Sequence, residues 1–322
     1  MTSKEVVLRT IRFETPDRLA FEFPQAYGSD ILWANIRPSP DDRYTNGVDE
    51  WGSVWRNIGK NALGEVKDYP LKDWAAFDQL KVPVLDTPQR WDSIKGSREK
   101  AEDKFLLGMG ISLYERIHFI RGLENTWTDI YEHPGELCML IDLLVDMNLE
   151  LIKRYSAEGF DGYMLLDDWG LQNRLMIAPQ TWRAIWKPRY ERVFRAAHQA
   201  NMATFLHSCG HIVDILDDLI DIGLDVIHMD QQENMGLALL GERFGGRLTF
   251  YAPVDIQKTM VYGSPDDIRA YCRDMARLLG RPEGGFIPRW YSDPVGAGHT
   301  QEAIHIMCTE FLNISREVYG KP

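Results

Sequence analysis

The sequence lacks a Cys-x-x-Cys pair, and its four cysteines, Cys138, Cys209, Cys272 and Cys308, are scattered over 322 residues. Such spacing excludes a disulfide framework and predicts reduced thiols in a cytoplasmic protein. No apolar run approaches the roughly 18 residues of a membrane span. Met1 is followed by polar Thr2-Ser-Lys-Glu5, which predicts no signal peptide. Positive charge is in deficit: 36 Lys and Arg against 48 Asp and Glu give a formal net charge of −12. This argues against nucleic acid or an anionic membrane as a main partner. No Gly-x-Gly-x-x-Gly follows the first strand-like segment and no P-loop appears, which weakens dinucleotide and nucleotide readings.

What is present is a 44% hydrophobic chain with ten Trp, enough to bury a large core. Thr2 to Arg12 reads as a helix with Ser3 as a cap, and Leu19 to Phe23 alternates like a strand. Residues 28–100 show no clean period; they read as an irregular region, a small β-rich insertion or a lid, with Trp33, Trp51, Trp55, Trp74 and Trp91 mostly anchoring loops. From Phe105 onward strands and helices alternate. Strand-like segments are 105–109, 162–166, 203–207, 225–229, 247–251 and 285–289. Helix-like segments are 134–157, 179–201, 212–220, 237–244, 265–280 and 300–319. Ser264-Pro-Asp-Asp267 is a strong helix start, with a cap, Pro at the first position and acids in the first turn. This βα repeat favours an α/β fold, a (β/α)8 TIM barrel with residues 1–322 as one domain, over an open sheet.

In such a barrel the chemistry sits at the C-terminal ends of the strands. Those ends carry Asp167 and Asp168, then His207 and Cys209, then Asp230, Gln231 and Gln232, then Asp255 and Gln257, then Tyr291, Ser292 and Asp293. His207 and Cys209 are two apart, so on an extended chain they point to one face. An imidazole nitrogen and a thiolate on one face suit zinc; a buried histidine and thiol filling a strand end would look the same in isolation. Asp230 and Asp293 are the candidate oxygen ligands. His228 would share the face of Asp230 but reads as structural or exposed, as does His211, and Cys272 and Cys308 fall inside helices as core thiols.

With those residues in view, the chain resembles the uroporphyrinogen decarboxylase-like superfamily. The resemblance rests on Phe13-Glu-Thr-Pro-Asp-Arg18, Asp167-Asp-Trp-Gly170, Trp182 with Lys187-Pro-Arg-Tyr190, His207-Ser-Cys-Gly210, Leu219-Ile-Asp-Ile-Gly-Leu-Asp225, Phe244-Gly-Gly-Arg-Leu-Thr-Phe250 and Gly284-Gly-Phe-Ile287. It implies a (β/α)8 barrel. The Arg-Gln-Ala-Gly-Arg-Tyr stretch by which the decarboxylases grip tetrapyrrole carboxylates is missing. The chain is more similar to the cobamide-dependent methyltransferase branch, whose His-x-Cys motif and a distant Cys hold zinc. Here Trp290-Tyr-Ser-Asp-Pro294 stands where that distant Cys is due.

The resemblance therefore implies zinc on His207 and Cys209, completed by an oxygen ligand such as Asp230 or Asp293. It also implies cobalamin carried by a separate corrinoid protein, and a small-molecule methyl donor or acceptor. A carboxylate-rich site suits oxygen substrates, so O-demethylation is favoured. Asp167, Asp168 and Tyr291 are the candidate catalytic groups, and Tyr163, Trp169, Trp290 and Tyr291 the candidate aromatic walls. The rival readings are a metal-independent decarboxylase or lyase using Asp167 or Asp168 as acid–base group, and a non-catalytic barrel that binds a ligand or the corrinoid protein.

Overall fold

The structure is a computed structural model that describes residues 1–38, 46–57 and 64–320. Its main sheet is parallel and seven-stranded: β1 (Ile31–Trp33), then β5 (Phe105–Met109), β6 (Gly162–Leu166), β7 (Ala203–His207), β8 (Val226–His228), β9 (Thr249–Ala252) and β10 (Phe286–Pro288), in that spatial order. A separate antiparallel sheet joins β2 (Gly47–Val48), β3 (Val54–Asn57) and β4 (Gly64–Asp68). The main sheet curls. Glu22 bridges to Arg289 beyond β10 and to Ser29 before β1, so the same short segment touches both ends of the strand order. This layout is consistent with a (β/α)8 barrel.

Side chains alternate strictly along these strands. Ile31, Phe105, Leu107, Met164, Phe205, Val226, Tyr251 and Ile287 pack together inside the curl, and Val6, Val7 and Ile11 of the first helix close its N-terminal end. The neighbours Leu106, Leu165, Leu206, Ile227, Phe250 and Phe286 face outward into a second cluster with the surrounding helices. A strand buried on both faces is why these segments read as nearly continuous apolar runs. Each such side chain contributes about 1.5–3 kcal/mol by leaving water.

Most of the predicted helices form at the expected places. Pro134–Ala157, Leu237–Phe244 and Pro265–Leu279 agree closely, and Ser264 caps the last of these in a reciprocal box with Asp267. Other expectations need correction. The first helix is capped by Thr2, not Ser3, in a box with Glu5. The predicted helix 179–201 is two helices, Pro179–Ile185 and Lys187–Gln199. Pro188 cannot donate a backbone hydrogen bond and so starts the second helix rather than continuing the first. Residues 19–23 form only the isolated bridge at Glu22, because Pro24 follows at once. The region 28–100 is not uniformly irregular. It supplies β1, the small antiparallel sheet, a 3-10 turn at Trp74–Gln79 and two short helices; parts of it lie outside the described residues. No helix among the described residues is long and apolar enough to cross a membrane.

Candidate active site

The alternation that builds the core also delivers the site. Phe205 faces the interior of the curl, so His207 and then Cys209, each two residues further, share its side. Val226 leads likewise to His228 and Asp230, Met164 to Asp168, and Ile287 to Arg289. Strand register aligns Leu166 with His207, and His207 with His228. The polar groups therefore stack above the apolar plug at the carboxyl ends of adjacent strands.

Backbone hydrogen bonds hold the two loops after β6 and β7 together. Cys209 N–H donates to Asp168 Oδ1 at 2.8 Å, and Gly170 N–H to the Cys209 carbonyl at 3.1 Å. Trp169 N–H donates to Ser208 Oγ at 3.0 Å. Two glycines make this approach feasible: a Cβ on Gly210, which has φ +76°, would stand 2.2 Å from the Gly170 carbonyl oxygen. This accounts for a glycine at the end of both Asp167-Asp-Trp-Gly170 and His207-Ser-Cys-Gly210.

Three ligand atoms converge there. His207 Nε2 lies 3.4 Å from Cys209 Sγ and 3.4 Å from Asp168 Oδ1. Asp168, His207 and Cys209 form one group whose ligand atoms all lie within 4.8 Å of each other. Tetrahedral zinc with Zn–N and Zn–O near 2.0–2.1 Å and Zn–S near 2.3 Å has ligand-to-ligand edges of about 3.4–3.6 Å, so the two edges from His207 match such an ion and the third lies within 4.8 Å. Burial works against ionisation of Asp168, yet hydrogen bonds from His207 and Cys209 hold its carboxyl below the usual range. Burial, followed by the charges of Asp168 and Asp230, pushes the Cys209 thiol up. A cation here would lift that penalty.

A second group, His207, His228 and Asp230, also has ligand-type atoms within 4.8 Å. It differs in holding a cation already. Arg289 Nη1 donates to Asp230 Oδ1 at 2.9 Å and to His228 Nε2 at 2.5 Å. Its Nε lies 3.6 Å from Glu22, which in turn accepts from Trp33 Nε1 and from the Tyr251 hydroxyl. His228 is buried, and burial, then Arg289 and His207, hold its imidazole well below its usual pKa. His228 Nδ1 sits 2.6 Å from His207 Nδ1. His228, expected to be structural or exposed, is buried, and its structural role puts it in contact with His207.

Other sequence candidates lie elsewhere or do other work. Asp167 is fully buried on the outward face of its strand. Its oxygens accept from the N–H groups of Leu113, Tyr114 and Glu115 and from the Tyr190 hydroxyl. It fixes the start of the helix Glu115–Arg121 and turns away from the three converging atoms. Burial raises its pKa to about 6 despite those bonds. Asp293 is exposed and caps the short helix Pro294–Ala297 through Gly296 N–H, which occupies it as a turn residue. Asp230 is taken up by Arg289. Tyr291 is partly buried, and burial, then the charges of Asp230 and Cys209, raise its pKa; its ring lies 5.9 Å from that of His299. Tyr163 and Trp169 are core, not pocket wall: Tyr163 donates to Asn148, and Trp169 stacks on Tyr114 at 3.8 Å. Cys272 and Cys308 are buried as expected.

Glu115 is not among the candidates that the sequence pattern singles out. Burial, then the adjacent charges of Asp168 and Asp167, raise its pKa to about 8, so it is mostly a neutral acid at pH 7. A glutamate in a first helical turn looks like an ordinary dipole partner. Its only signal is its position six residues beyond the end of β5.

A curled parallel sheet with polar side chains gathered at the carboxyl ends of its strands is the layout of an α/β enzyme. The uroporphyrinogen decarboxylase (URO-D) family profile matches residues 57–288, and the chain belongs to that family. Among solved structures it is similar to a methyltransferase from Methanosarcina mazei, with TM-score 0.71 and 17% identity over 98% of this chain and 99% of that one. It is more distantly similar to a D-psicose 3-epimerase from Clostridium cellulolyticum H10, with TM-score 0.42 and 10% identity over 76% of this chain and 87% of that one. No curated protein matches it in sequence.

Proposed function

We propose that this protein is a zinc-dependent methyltransferase on a (β/α)8 barrel, moving a methyl group between a small methylated substrate and a corrinoid protein. The convergence of Asp168 Oδ1, His207 Nε2 and Cys209 Sγ carries the reading. The full-length likeness to a methyltransferase fold supports it. His207, Cys209 and Asp168 would hold the metal, and Asp168 replaces Asp230 and Asp293 as the favoured oxygen ligand. Bound there, zinc would supply Lewis acidity at the substrate heteroatom. One thiolate with one carboxylate is a harder site than a two-thiolate one, and this favours a methyl ether over a thiol substrate.

The chain's own residues account for the rest. An alkoxide or phenoxide leaves poorly, so a proton must reach the ether oxygen. Glu115, whose acid form is favoured in the metal-free chain by burial and by the charges of Asp168 and Asp167, is the acid available. Asp167 holds the N-terminus of the Glu115 helix and so aims that acid. The cobalt carrying the methyl group would belong to a partner corrinoid protein.

Elemental analysis of purified protein, with methyl transfer from a panel of aryl methyl ethers to free Co(I) cobalamin, tests the proposal. Stoichiometric zinc that is lost in His207→Ala, Cys209→Ala and Asp168→Ala, together with loss of transfer, is expected. Full transfer by metal-free protein overturns it. A metal-independent decarboxylase or lyase is the second reading. One observation favours it: Asp168 is already engaged by His207 and Cys209 without a cation. Carbon dioxide release from a carboxylated substrate, with neither metal nor corrinoid added, would establish that alternative.

A further inference from the structure

We infer that Arg289 acts as a positioning residue, directing the hydrogen bonds of His228 so that the metal-free His207 carries its proton on Nε2, and that metal uptake requires this chain of hydrogen bonds to reverse. A guanidinium has only N–H donors. Arg289 Nη1 lies 2.5 Å from His228 Nε2, so that nitrogen accepts. A neutral imidazole accepting at Nε2 carries its hydrogen on Nδ1. His228 Nδ1–H then donates across 2.6 Å to His207 Nδ1, which must accept. His207 therefore bears hydrogen on Nε2, the atom that faces Asp168 and Cys209 at 3.4 Å. The tautomers follow from partner geometry alone.

A metal-ligating histidine needs the opposite arrangement: the ligating nitrogen is bare, and the other donates its hydrogen to a supporting acceptor. With Nε2 on a metal, His207 Nδ1–H would donate to His228 Nδ1. His228 would then carry its hydrogen on Nε2, pointing at the Arg289 donor. Two donors cannot share a contact of 2.5 Å. Arg289 keeps its anchors on Asp230 and Glu22 if it lets go of His228, so the fold permits the exchange. This strand end thus holds the imidazole closed against Asp168 until His228 changes tautomer.

The metal half of the inference rests on the proposed zinc site; the tautomer half does not. Long-range proton–nitrogen NMR on metal-free protein with 15N-labelled histidine reads the tautomers in the unmodified chain. His228 with its hydrogen on Nδ1 and His207 on Nε2 is the expected result; the reverse pair overturns the inference. Zinc alone, titrated against a competing chelator, gives the second readout. His228→Gln offers an amide oxygen to His207 Nδ1–H with no ring tautomer to reverse, and should bind zinc about 10-fold tighter than the parent because no population is held in the non-ligating tautomer. Equal or weaker affinity in a folded variant overturns the coupling. Absence of zinc binding in both proteins refutes the proposed function, and the NMR result alone then decides the tautomer half.

Discussion

Two clusters of histidine and carboxylate lie inside the same curled sheet, share His207, and differ in one respect that decides their roles. Asp168, His207 and Cys209 gather three ligand-type side chains with no Lys or Arg paired to them among the described residues, and the Asp168 side chain remains 34% exposed. In the group of His207, His228 and Asp230 the cation position is already filled by the Arg289 guanidinium, and the side chains of His228 and Asp230 are 8% and 12% exposed. Composition alone rates the two groups alike. A buried carboxylate must be paired, so the strand that brings in Arg289 turns the second group into a structural ion network. The first has no such cation among the described residues.

The largest contrast between the clusters is expected in zinc binding. Cys209→Ala should lower zinc affinity by more than the roughly 10–100-fold that loss of a supporting partner costs, while Asp230→Asn should leave stoichiometry unchanged. Metal analysis after dialysis reads both; an Asp230→Asn variant that loses zinc as completely would invert the assignment.

The next effect falls on stability. Arg289→Met strands Asp230 and Glu22 without their cation and should cost about 3–5 kcal/mol, read by denaturant unfolding, whereas Asp168→Asn should cost far less. Comparable losses would show that both clusters are structural. Asp167→Ala removes the acceptor of three N–H groups and one hydroxyl. A loss of about 1–3 kcal/mol is expected, with the melting temperature as the measurement.

A pH series separates the acid from its neighbours. Glu115 has its pKa raised from 4.5 to about 8 in the folded chain. The folded state thus keeps a proton that the unfolded chain releases. This stabilising contribution is complete below the unfolded value and is lost as pH rises through the folded one. Melting temperatures from about pH 5 to about pH 9 should fall less steeply in Glu115→Gln than in the parent. Methyl transfer by the parent should decline at alkaline pH as the acid ionises. Parallel melting curves would remove Glu115 from its role. The smallest effect is at the surface: Asp293→Ala should cost at most about 1 kcal/mol as a lost helix cap, without change in zinc content.

Much of the fold and part of the site are legible in the sequence. The rule that sorts the site is period two. Phe205, His207 and Cys209 share a face, and Val226, His228 and Asp230 share another. The same rule separates Asp168, four residues past inward-facing Met164, from Asp167, which points out to the Glu115 helix. The carboxylates are visible at their strand ends, but residue type alone does not divide their labour. Asp167 therefore stands beside Asp168 as a catalytic candidate in the sequence, and Asp168 does not stand out there as a ligand. Asp293 misleads for a different reason. A capping aspartate and a ligating one look alike locally, and Asp-Pro-Val-Gly296 is a turn as much as a site.

Sequence by itself determined the parallel α/β order, the capped start of the helix after Ser264, and the His-Ser-Cys-Gly end of β7. These depend on local periodicity and backbone chemistry, which act over a few residues. Only the tertiary structure decided that Arg289 faces Asp230 across 59 residues of chain, and that Glu22 meets Tyr251, 229 residues away. Which carboxylate is free to hold a cation depends on charges brought together by the curl of the sheet, and no local pattern encodes that proximity.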